Sequence, residues 1–258
     1  MRTNAIILAV LLLPLCPAGA SIFTLTDANS SSLVDTGPAG MTNWTVDGVN
    51  QLNRQAFWFR VGAAGGETNI GSLPLVSASQ PIPKYLSTLY QGGSFTVEVM
   101  LLLTGGTQGS GTSDVAESIR ITNTSTTSLD FHFFQYCNLH LNGQAVNTSV
   151  EIPGSNTATQ TQGPATVSET ADVPIPSRHE VGLYPNTLNS LMDGSPTTLS
   201  NSGGPIGPGD LTWAFQWDRT IAPGGSFLIS KDKHVVPEPA TMSLLVIGGL
   251  RFLCRRRK

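Results

Sequence analysis

The chain has 258 residues, of which 40% are apolar and only 12% charged, with 27 Gly and 17 Pro. That is material for one sizeable domain or two small ones, built from short strands and turns, because long surface helices need more Glu, Lys, Arg and Ala. The formal charge of −3 hides a division: six of the 14 basic residues lie near the termini, and eight bases face 16 acids between positions 21 and 236, a body charge of −8 that excludes an electrostatic footprint for nucleic acid.

The N-terminus begins Met1-Arg2, continues in an apolar run from Ala5 to Leu15, and reaches Ala18-Gly19-Ala20. A basic start, a short apolar stretch and small residues at Ala18 and Ala20 predict a secretory signal peptide over 1–20, read by the secretion machinery and cleaved after Ala20. The run is too short to cross a ~30 Å hydrocarbon core. A lipid attached at Cys16 is the alternative, disfavoured because Leu13-Pro14-Leu15 puts a bulky Leu directly before the cysteine, where a small residue is required. Of Cys16, Cys137 and Cys254, only Cys137 belongs to the body, so no internal disulfide is expected there.

Through the body, apolar residues alternate with polar ones. Ala56–Val61, Ser94–Leu103, Glu117–Thr122, Leu129–Leu141, Arg178–Tyr184, Leu211–Asp218 and Ser226–Ser230 read as strands, and Thr187–Met192 as a helical turn. Ala222-Pro223-Gly224-Gly225 predicts a hairpin between the last two strands. The stretches 153–166 and 194–210, rich in Gly, Pro, Ser, Thr and Gln, read as loops. The expected body over 21–234 is an all-β antiparallel sandwich, immunoglobulin-like or enlarged, with two stacked small sandwiches as the alternative.

Chemistry is sparse in this pattern. His132 and His140 share a strand face but stand over ~26 Å apart, and Cys137 has the opposite parity, so no metal site is expected from them. His179-Glu180 lacks the second His of a zincin, no Gly-x-Ser-x-Gly elbow occurs, and a pairing of Glu98 with Asp218 has no support beyond their being carboxylates. The expectation is a non-enzymatic protein without cofactor. Trp44, Trp58, Trp213 and Trp217 read mainly as core; Trp58, opposite in parity to Phe57, Phe59 and Val61, is the candidate sugar-stacking platform.

The C-terminal segment, 235–258, runs from Pro237-Glu238-Pro239 through an apolar stretch, Thr241 to Leu250, to Arg255-Arg256-Arg257-Lys258. The prolines hold the motif extended, and the basic tail stays cytoplasmic by the positive-inside rule. This arrangement resembles the PEP-CTERM sorting signal. The resemblance implies a transmembrane sorting helix, transient residence in the inner membrane, processing by an exosortase-type enzyme and a host that makes exopolysaccharide. Arg251 interrupts an apolar run of only ~15 Å, which suits a processing signal better than a lasting anchor. The function expected is that of an exported structural or interaction protein of the envelope or extracellular matrix; the alternative is a carbohydrate-binding sandwich module.

Overall fold

Period-two alternation is what a strand with one buried face requires, and it organises nearly all of the computed structural model, which describes residues 19–237. The predicted leader through Ala18 and the tail from Glu238 to Lys258, with Pro239 and the sorting helix, lie outside the described residues. Among the described residues no helix is long and apolar enough to cross a membrane.

The strands, in chain order, are β1 (Ile22–Asp27), β2 (Ser30–Asp35), β3 (Gly40–Val46), β4 (Val49–Asn50), β5 (Leu52–Val61), β6 (Thr68–Asn69), β7 (Leu75–Ile82), β8 (Tyr85–Gln91) and β9 (Phe95–Gly105). They continue as β10 (Ser113–Asn123), β11 (Leu129–Leu139), β12 (Thr148–Glu151), β13 (Thr157–Gln162), β14 (Ala165–Val173), β15 (Arg178–Leu183), β16 (Ile206–Gly209), β17 (Leu211–Ile221) and β18 (Ser226–Pro237); one short helix, α1, spans Asn186–Ser190. Sheet I has the order β16-β12-β13-β14-β18-β10-β9-β8-β7. Sheet II has the order β1-β2-β3-β5-β11-β17-β15, with β4 on β3 and β6 on β5. Each sheet has nine strands, so the enlarged form of the sandwich is the one observed.

The sheets bury their facing sides against each other. Phe95, Val97, Val99, Leu101 and Leu103 point inward from β9, as their parity requires, and one apolar core runs from Leu25 to Val235. Its aromatic centre stacks Phe57 on Phe133 and Phe59 on Phe131, with Phe95 edge-on to Phe59 and Phe131 at 4.9 Å. Each fully buried ring of this kind contributes about 1.5–3 kcal/mol. Gly40, at φ +74°, lets β3 close on β5: a Cβ there would stand 2.2 Å from the Gln55 carbonyl oxygen.

Three expectations change. The β17–β18 hairpin does not form: β17 pairs with β11 and β15 in sheet II, while β18 pairs with β10 and β14 in sheet I, so the Ala222–Gly225 turn passes from one sheet to the other. Earlier in the chain β9 and β10 form a hairpin, and β11 crosses to sheet II in the same way. The loop expected over 153–166 contains β13 and the start of β14, whose inward residues Ala158 and Gln160 are too small or polar to announce a strand. β18 also runs past residue 234, with Pro237 opposite Ala165.

Candidate functional site

The outer face of sheet II is built from residues of opposite parity to the core. Cross-strand register places Arg60, His132 and Asp218 in one rank, Trp58, Phe134 and Gln216 in the next, and Ala56, Tyr136 and Ala214 in a third. The segment from α1 to Leu199 lies over this face, with Leu188, Leu191 and Leu199 packed on Trp58, Phe134 and Tyr136. Polar groups fasten it: Thr187 Oγ1 and the Ser200 N–H donate to Glu180, the Leu199 N–H donates to Gln216 Oε1, and Arg60 donates to the Thr197 carbonyl at 3.0 Å. Glu67 completes the clasp by accepting from Arg60 and from the Thr197 N–H.

Trp58 is therefore not a platform. It is only 2% exposed, its edge meets Tyr136, and the Arg54 guanidinium lies 5.3 Å from its ring centre. Its parity in β5 puts it off the main core, and nothing local to that strand announces the segment that covers it. The other three tryptophans are wholly buried. Burial also raises the Tyr136 hydroxyl well above its ordinary value and lowers that of Arg54.

Between the sheets lies a group that the sequence reading did not identify. Lys231 and Lys233 of β18 point inward beside Glu117 of β10 and Glu169 of β14, and all four side chains are at most 1% exposed. Lys231 Nζ stands 2.6 Å from Glu117 and 3.1 Å from Glu169; Lys233 Nζ stands 3.4 and 3.2 Å from the same two carboxylates. From sheet II, Gln55 donates to both Glu117 oxygens at 2.8 Å and accepts from Lys233, and Gln135 donates to Glu169. Burial by itself would raise Glu169, yet Lys231 and Lys233 hold it at about 2. Burial would lower Lys233, and the two carboxylates with Cys137 reverse that. The signal was present: Lys231 and Lys233 share parity with Ile229 and Val235, and Glu117 with Val115 and Ile119.

The outer face of sheet I is uncovered and carries a trough of about 410 Å³. Its floor is small: Ala116 and Ser118 on β10 and Ser230 on β18. One wall is Tyr85, Met100 and Leu102; the other is Asp172 and Asp232. Tyr85, Leu102, Ala116 and Asp232 form one cross-strand rank over four strands. Asp172 sits in a register shift of β14 between Ala171 and Val173, the sort of bulge that re-aims a side chain. Leu102 is 37% exposed, an apolar surface left in water. Partial burial, then the neighbouring Asp114, raise Asp232 to about 6, with His234 opposing them. His234 Nδ1 is itself 3.3 Å from Asp114. The trough thus offers apolar contact along one side, hydroxyls beneath, and carboxyls that both accept and, near pH 6, donate.

The remaining sequence candidates are not brought together. Pro237 ends β18 and is exposed, and Ala20 precedes β1. His132 bonds Asp218 at 2.6 Å, His140 lies 3.8 Å from Asp210, and Cys137 faces the core, where burial pushes its thiol up to about 12. Glu98 and Asp218 occupy the outer faces of opposite sheets, so they cannot share a substrate.

No protein-family model matches the sequence, and no curated protein does. Solved structures do share the fold. A bacterial glucoamylase complexed with acarbose is 4% identical, with a TM-score of 0.59 over 90% of this chain and 36% of that one, so the chain spans about a third of it. A putative aldose 1-epimerase from Escherichia coli K12 is 11% identical, with a TM-score of 0.59 over 85% of this chain and 100% of that one. A galactose mutarotase-like protein from Lactobacillus casei is 10% identical, with a TM-score of 0.54 over 83% and 100%. At such identities the likeness is one of fold.

Proposed function

We propose that this protein is an exported, envelope-associated sandwich that binds neutral carbohydrate in the trough on sheet I, as an interaction protein and not an enzyme. The observation that carries this reading is the trough's lining: Tyr85, Met100 and Leu102 face Asp172 and Asp232 across a serine floor. A pyranose presents apolar C–H faces and a rim of hydroxyls, and such a lining matches both. The volume suits one or two sugar rings, at the lower end of the roughly 300–1,000 Å³ typical of ligand sites. The names of fold neighbours, a glucoamylase with acarbose and aldose epimerases, support the same class of ligand. Unpaired carboxylates disfavour uronates and sulfated glycans above pH 6, when Asp232 is ionised.

Export and processing belong to the same proposal. The leader ending at Ala20 would deliver the body across the inner membrane, the Pro237-Glu238-Pro239 segment would be the processing site, and the host's exopolysaccharide would be the available glycan. Glycan-array screening of the mature protein tests the binding claim. Neutral hexose-containing glycans should be retained, and Ser118→Trp, which fills the floor, should abolish retention. Retention that is confined to anionic glycans, or that survives Ser118→Trp, would refute the assignment of this trough. A second reading rests on Asp232, which lines the trough and neighbours the Asp114–His234 pair: it would move protons on a bound sugar, and polarimetry of a freshly dissolved aldose with the protein checks this.

A further inference from the structure

The inter-sheet cluster holds side by side the three groups that amide formation needs: a lysine amine, a primary carboxamide and a carboxylate, all out of water. Lys233 donates to Gln55 Oε1; Glu117 accepts from the departing nitrogen, Gln55 Nε2, through both oxygens at 2.8 Å and lies 3.4 Å from Lys233 Nζ. Lys233 and Glu117 have fully buried side chains and Gln55 is 1% exposed, so the carboxamide has little access to competing water. We propose that Lys233 and Gln55 are a modification site, at which an intramolecular amide bond joins β18 of sheet I to β5 of sheet II with loss of ammonia.

The step balances without an oxidant or cofactor. The Lys233 ammonium passes one proton to Glu117, and the free Nζ pair attacks Cδ of Gln55. The Nζ–Cδ bond forms while the carbonyl pair moves to Oε1. Collapse breaks Cδ–Nε2, and Nε2 leaves as ammonia with the second proton shed by Nζ. The first proton stays on Glu117. Lys231 and Glu169 then remain as one ion pair at 3.1 Å, and no uncompensated charge is left inside. The resting cluster favours the ammonium. Reaction therefore runs slowly, once per molecule, from the minor state in which Glu117 holds the proton. Gln135 serves as an internal comparison: it bonds Glu169, but no lysine donates to its Oε1, which has no partner.

Mass spectrometry of the purified full chain decides the matter. The denatured protein should be about 17 Da lighter than its sequence requires, its termini fixed by the same digest. Tryptic cleavage should release the fragment beginning at Gln55 joined to the one carrying Lys233. Gln55→Met and Lys233→Met should each restore the sequence mass, and Glu117→Gln should leave the bond unformed, whereas Gln135→Met should keep the loss. A wild-type protein of full sequence mass, with separate Gln55 and Lys233 fragments, would overturn the proposal, and that measurement needs no variant to fold.

Discussion

At the scale of single residues, the cost of the charges is the informative quantity. Only eight basic residues lie between positions 21 and 236, and two of them, Lys231 and Lys233, are spent in the core opposite Glu117 and Glu169. Removing one member of such a group strands its partner without solvent. In the Gln55→Met background, which cannot form the cross-link, Glu169→Gln is expected to lower unfolding free energy by about 3–5 kcal/mol, read from urea denaturation. Asp232 behaves in the opposite sense. Its carboxyl is raised to about 6, so the folded state holds that proton more tightly than the unfolded chain. Its contribution is full below the ordinary carboxylate value and is lost as pH rises through about 6. Asp232→Asn should therefore stabilise the protein at pH 8 by up to about 1 kcal/mol, discounted for exposure, and give no gain at pH 4, as thermal melts at the two pH values would show. A destabilising acid kept on an open trough fits a ligand-binding role better than a structural one.

At the scale of elements, the segment that covers sheet II is held by three leucines and a few polar clasps. Leu191, wholly buried against Trp58 and its neighbours, is the apolar peg. Leu191→Ala should cost about 2–4 kcal/mol if the segment and sheet unfold together. Should the segment open alone, limited proteolysis between Asn186 and Ser200 will accelerate while the global melt barely moves. Strand positions were largely legible because β5, β9, β10, β11 and β17 alternate apolar residues with period two. Strand pairing was not. A Pro-Gly-Gly turn announces a reversal of the chain, and both a hairpin and a crossing between sheets satisfy that. β13, reading Thr-Ala-Thr-Gln-Thr-Gln, was hidden because its inward residues are small or polar.

The same limit explains the sites. Parity in β18 would have carried Lys231 and Lys233 inward had the strand been extended beyond Ser230, since Val235 resumes the apolar face. The trough had no such signal: Tyr85, Ala116 and Asp232 come from three strands whose neighbours and register only the sheet fixes. Trp58 was placed on the correct face, but long-range cover by Leu188 and Leu191 lies beyond any local pattern.

At the scale of the molecule, the C-terminal strand dominates. β18 sits between β10 and β14 in the middle of sheet I, and carries both buried lysines. Truncation at Ser226 should abolish the cooperative unfolding transition seen by circular dichroism, whereas a chain ending at Pro237 should melt within a few degrees of the full protein. Processing close to the Pro-Glu-Pro segment would then leave the folded body whole, and the trough on sheet I free to bind.

Carbohydrate binding on that face is the central claim, and backbone amide NMR during titration with a neutral oligosaccharide retained on the array tests it most directly. The expected result is a saturable shift confined to the trough, at Ala116, Ser118, Ser230 and Asp232, with sheet II unmoved. Shifts confined to sheet II, around Arg54 and Tyr184, or no saturable shift on either face, would contradict it.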